Sequence, residues 1–132
     1  MKVSHVGIAV TSLKEARAFY EALGLPCAGE EEVPGQRVKV AFFEAGGSRI
    51  ELLESTAPDG PVGRFLAKRG PGLHHLCLEV PDLEAVLARL KEEGYTLLDE
   101  RPREGAGGRK VAFVHPQSAG GVLLELTEGE KR

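Results

Sequence analysis

The chain is poor in sulfur: its 132 residues contain two cysteines, Cys27 and Cys77, and their separation fits no thiolate metal motif. In a reducing compartment both read as free thiols, and Cys77, inside a strand pattern, reads as a small core residue. No staple is needed, because this length with 42% hydrophobic residues can bury a sizeable core. Clustered positive charge is also lacking. A net charge of -3 and a pI of about 5.8 argue against nucleic acid or an anionic membrane as partners. No apolar run approaches the ~20 residues of a membrane helix. The first residues show no signal-peptide core, so the expected location is the cytoplasm. The length fits one domain, or two small modules sharing a core.

What the chain does have is repetition. A strand pattern over residues 3–10 carries His5, and a helix pattern follows with Leu13, Ala16, Tyr20 and Leu23 at helical spacing. Thr11 or Ser12 can cap that helix, with Glu15 placed as in a capping box, and Gly24 can end it. Residues 26–36 read as a loop with at most one irregular strand. Residues 37–44 alternate, with Val38, Val40 and Phe42 on one face, and Gly46-Gly47 suits a hairpin turn into a strand over 48–54. A turn at 58–61 and a short helix burying Val62, Phe65 and Leu66 form a connector that Gly70-Pro71-Gly72 stops. The plan then recurs: a strand over 73–80, a helix capped by Asp82 and ended by Gly94, a strand from Tyr95 to Leu98, a glycine-containing loop over 101–108, a strand over 110–115, a turn at Ala119-Gly120-Gly121, and a last strand over 122–127. The tail from Glu128 to Arg132 is polar and expected to fray.

The offsets are consistent. Adding 70 takes His5 to His75, Leu13 to Leu83 and Gly24 to Gly94; adding 74 takes Gly47 to Gly121 and Glu51 to Glu125. Each half is therefore expected to be a β-α-β-β-β module, giving an α+β class. The chain reads as one domain over 1–132, with module one at 1–55, a connector at 56–71 and module two at 72–132. One module alone would leave an apolar sheet face exposed, and two can bury it.

The repeat selects two histidines, His5 and His75, and two glutamates, Glu51 and Glu125. Two imidazoles and two carboxylates suit a divalent first-row metal with positions left for water or substrate. Taken singly, a strand glutamate usually faces solvent and a strand histidine is usually a satisfied structural residue. Recurrence in both halves brings the shared metal site level with those readings. Of the adjacent pair, the offset favours His75, and His74 should face the other side of its strand. His115, beside Pro116, reads as structural or supporting. The Gly105–Gly108 loop lacks the spacing of a phosphate loop. Arg64, Lys68, Arg69 and Lys110 could meet phosphates, although each reads equally as an ordinary surface charge.

Several stretches together resemble the vicinal oxygen chelate (glyoxalase/bleomycin resistance) superfamily, and within it the methylmalonyl-CoA epimerases. They are His5–Val10, Ile50–Glu54, Phe65–Gly70, Gly72–Val80, Phe113–Pro116 and Gly121–Leu126. The resemblance covers nearly the whole chain. It implies paired modules around a metal site, with His5, Glu51, His75 and Glu125 as ligands. The metal implied is a divalent ion, cobalt first, with manganese, nickel, zinc or magnesium as alternatives. An acyl-CoA substrate and a homodimer are also implied. The activity implied is (R)/(S) epimerisation through an enolate that the metal stabilises; at the Glu51 position family members carry either Gln or Glu. The two-fold relation of the modules makes Glu125 and Glu51 the candidate catalytic carboxylates, one for each face of the α-carbon, and the equal alternative is that both are ligands only, with water or another side chain as second base. Some family members carry a further glutamate on the third strand, and the matching place here is read as Val40. The competing functions are a glyoxalase I-type lactoylglutathione lyase and a metal-free small-molecule binding protein of the same fold.

Overall fold

The computed structural model describes residues 1–129, so residues 130–132 of the expected tail lie outside the described residues. The elements run in the order β1 (Lys2–Val10), α1 (Leu13–Ala22), β2 (Cys27–Val33), β3 (Val38–Ala45), β4 (Ser48–Ser55), α2 (Pro61–Arg69), β5 (Gly72–Val80), α3 (Leu83–Glu92), β6 (Arg103–Glu104), β7 (Lys110–Val114) and β8 (Leu124–Glu128). Two compact units divide the described residues: 5–74, and 1–4 together with 75–129.

Within residues 5–74, β2, β3 and β4 form an antiparallel meander, and β4 then pairs in parallel with β1. Alternation along these strands makes two apolar faces. On one, Val10, Ala41, Phe43 and Leu52 pack with Leu13 of α1. On the other, Ala9, Val38, Val40 and Leu53 pack with Val62 of α2. Glu51 lies between Ile50 and Leu52, so its side chain shares the second face. In the other unit β7 pairs antiparallel with β8, β8 pairs in parallel with β5, and β6 adds two residues beside β7. Its core joins Val80, Ala112, Val114 and Leu126 to Leu83 and Leu87 of α3.

Helices α1 and α3 begin alike. The Ser12 hydroxyl accepts from Glu15 N at 3.2 Å, and the Asp82 carboxylate accepts from Ala85 N at 3.1 Å. Each first helical N–H also meets a glutamate from the last strand of its own unit: Leu13 N donates to Glu54 at 2.9 Å and Leu83 N to Glu128 at 3.4 Å. A carboxylate at a helix N-terminus complements the helix dipole. Both helices are followed by a left-handed glycine, Gly24 at φ 101° and Gly94 at φ 86°, which a side chain would strain.

Three segments differ from the sequence reading. Residues 27–33, expected as mostly loop, form a full strand whose register slips between Cys27 and Gly29, so pairing overrides a polar, glycine-containing composition. Tyr95 to Leu98 forms no strand, only an isolated bridge from Leu97 to Val114. Asp99 explains the break: its carboxylate accepts Phe113 N at 2.9 Å, taking the donor a continuing ladder would use. The last strand starts at Leu124 rather than Val122, after a turn closed by Gly121 N donating to Pro116 O at 2.7 Å, and it runs on through Glu128.

Candidate active site

Register brings the selected residues together in pairs, one in each unit. In residues 5–74, Gly7 pairs with Glu51 across the parallel β1–β4 ladder, and His5 lies two residues earlier on the same face. His5 Nδ1 stands 3.3 Å from Glu51 Oε2. In the other unit Cys77 pairs with Glu125 across β5–β8, and His75 again lies two residues earlier. His75 Nε2 stands 3.1 Å from Glu125 Oε1. The +70 and +74 offsets thus hold at the level of strand register. All four side chains are buried, with exposures of 6% for His5, 3% for Glu51, 8% for His75 and 6% for Glu125. An isolated buried carboxylate is costly, and imidazole nitrogens beside carboxylate oxygens form a donor set that suits a divalent cation.

Each glutamate faces a phenylalanine on the neighbouring antiparallel strand, Phe42 opposite Glu51 and Phe113 opposite Glu125. Each ring carries a guanidinium: Arg49 lies 5.5 Å from the Phe42 centroid and Arg103 lies 5.2 Å from that of Phe113. Arg49 goes further, with Nη2 at 3.1 Å from Glu51 Oε2. Sequence reasoning missed Arg49. Its i−2 spacing from Glu51 on one strand was the available signal, but the sequence offers the exposed Glu44 as an equally good partner.

The other candidates separate from these pairs. His74 is half-buried and meets the edge of Phe65 with centroids 5.0 Å apart, on the opposite face of β5 from His75. His115 accepts Gln117 N at 3.0 Å through Nδ1, a turn-forming role. Arg69 lies over Phe65, and Arg64, Lys68 and Lys110 are exposed. Val40 is 2% exposed on the Glu51 face, in the cluster capped by Val62. Cys77 is fully buried, as expected of a core residue, but it shares the face of His75 and its thiol lies within 4.8 Å of a Glu125 oxygen. No helix among the described residues is long and apolar enough to cross a membrane.

Residues 4–113 match the Glyoxalase/Bleomycin resistance protein/Dioxygenase superfamily. The mitochondrial methylmalonyl-CoA epimerase of Bos taurus is 38% identical over 129 residues, covering 96% of this chain and 74% of the relative. The chain belongs to the methylmalonyl-CoA epimerase family. The ethylmalonyl-CoA/methylmalonyl-CoA epimerase of Cereibacter sphaeroides is also 38% identical, with 96% of this chain and 97% of that protein covered. A solved methylmalonyl-CoA epimerase in complex with methylmalonyl-CoA and ammonium superposes with a TM-score of 0.92 at 34% identity, over 97% of this chain and 94% of that one. The family's α+β glyoxalase fold is therefore the fold of this chain.

Proposed function

We propose that this chain is a metal-dependent epimerase that interconverts the (R) and (S) forms of methylmalonyl-CoA. The observation that carries the reading is the pair of buried His–Glu contacts at repeat-equivalent strand positions. His5, Glu51, His75 and Glu125 would together hold one divalent ion, cobalt being favoured, with manganese, nickel, zinc or magnesium also suiting a two-nitrogen, two-oxygen set. Such an ion, when bound, supplies Lewis acidity to the thioester oxygen. A protein that only sequestered a small molecule would have no use for four buried polar ligands.

The chain's own residues carry the proton. The α-carbon of methylmalonyl-CoA lies between a thioester and a carboxylate, which makes its hydrogen acidic. Epimerisation removes that proton on one face and returns one on the other. Glu51 and Glu125 are the carboxylates of the two repeats, and each takes or returns the proton on one face of the α-carbon. His5 and His75 stand beside these carboxylates at 3.3 and 3.1 Å. The reading extends to a homodimer acting in the cytoplasm, and light scattering tests the assembly.

The deciding experiment gives cobalt-loaded protein one stereoisomer of methylmalonyl-CoA in deuterated water and follows chirality and α-deuterium together. Epimerisation with deuterium entry is expected. Absence of both, with conversion of the methylglyoxal–glutathione hemithioacetal instead, would move the chain to the lyase reading.

A further inference from the structure

We infer that Arg49 is the specificity residue that selects acyl-CoA substrates bearing a free carboxylate next to the reacting carbon. This inference rests on the epimerase reading. Arg49 sits on β4 at the same face as Glu51, with His5 as its neighbour across β1 and Glu44 across β3. The exposed Glu44 stands directly opposite, yet the guanidinium turns away from it toward the buried Glu51, at 3.1 Å. Its planar group rests against Phe42, 5.5 Å from the ring centroid, which limits its rotamers. The side chain keeps 30% exposure, so the guanidinium bridges the buried carboxylate and the open side of the face.

The chemistry points one way. Nη2 faces Glu51, and among the described residues no second carboxylate pairs with the group. That leaves donors of the guanidinium fork for a planar anion, the geometry that suits a carboxylate in two-point contact. When Glu51 engages a cation, its charge is offset and the Arg49 charge is left to be answered by the ligand. A methylmalonyl group supplies the missing carboxylate; an acyl group ending in methyl does not.

The test compares calorimetric binding of methylmalonyl-CoA with that of isobutyryl-CoA, which replaces the carboxylate by methyl, to cobalt-loaded parent, Arg49→Met and Arg49→Lys, with bound cobalt measured in each. Charge-assisted, two-point contacts are strong, so Arg49→Met should cut the preference for methylmalonyl-CoA by about tenfold or more while isobutyryl-CoA affinity stays within about twofold. Arg49→Lys should fall between, keeping charge without the fork. An unchanged preference in Arg49→Met overturns the inference. So does equal weakening of both esters, or loss of cobalt, since either would mean that Arg49 only holds Glu51. Failure of the parent to epimerise methylmalonyl-CoA rejects the underlying reading; epimerisation by the parent with a preference indifferent to position 49 rejects this inference alone.

Discussion

Replacing His75 with alanine and comparing it with the same change at His74 probes the site through stability as well as activity. The neighbours are chemically identical and adjacent, yet His75 is 8% exposed with its ring 3.1 Å from Glu125, while His74 is half-buried against Phe65. An ion that binds only the native state at one hundred times its dissociation constant adds about 2.7 kcal/mol. For a chain of this size that is roughly 8–13 °C in melting temperature, taking about 3–5 °C per kcal/mol. The parent should therefore melt roughly 10 °C higher with cobalt than with chelator. His75→Ala should lose that difference, because losing a ligand costs more than the ~10–100-fold in affinity of losing an outer partner. His74→Ala should keep it, with both curves lowered by about 1 kcal/mol for the lost ring contact. Differential scanning calorimetry with and without metal, together with metal analysis, reads both effects. An equal metal response in the two variants would refute the assignment of His75.

The glutamates are tested by Glu51→Gln and Glu125→Gln, each given one stereoisomer at a time in deuterated water: each should lose epimerisation but exchange the α-proton of one isomer, and the two should favour opposite isomers. Near-parent epimerisation by metal-bound Glu51→Gln would leave Glu51 a ligand only. Cys27→Ser should be silent, whereas Cys77→Ser should cost about 1–2 kcal/mol for a hydroxyl buried beside Glu125 yet retain turnover, a collapse with metal bound being the contrary result. Gly63→Ala should destabilise by about 1–3 kcal/mol in urea unfolding, since an added Cβ would lie 2.5 Å from the Ala57 carbonyl oxygen; an unchanged midpoint would show that the 57–58 loop yields. Asp59 is exposed and its pKa is lowered, chiefly by its hydrogen bond to Arg37. Its small stabilising contribution is present above the ordinary carboxylate pKa and fades as pH falls, so Asp59→Asn should flatten the acid limb of stability slightly, and less so in high salt.

The sequence by itself determined the repeat, and through it the element order, because helix and strand periods and capping residues are local properties. Ser12 and Asp82, Gly24 and Gly94, and the His–Glu quartet could all be identified without coordinates, since a duplication marks equivalent positions whatever their environment. Non-local pairing decided the rest. The polar run 27–33 became a strand because β3 offered it a ladder, and Tyr95–Leu98 did not, because the Asp99 carboxylate took the Phe113 N–H. Cys77 could be placed in a strand but not beside Glu125, which depends on the parallel register of β5 and β8. Arg49 was not singled out in the sequence at all: only the folded strands set Glu44 across from it and Phe42 against it, and so decided which carboxylate it meets.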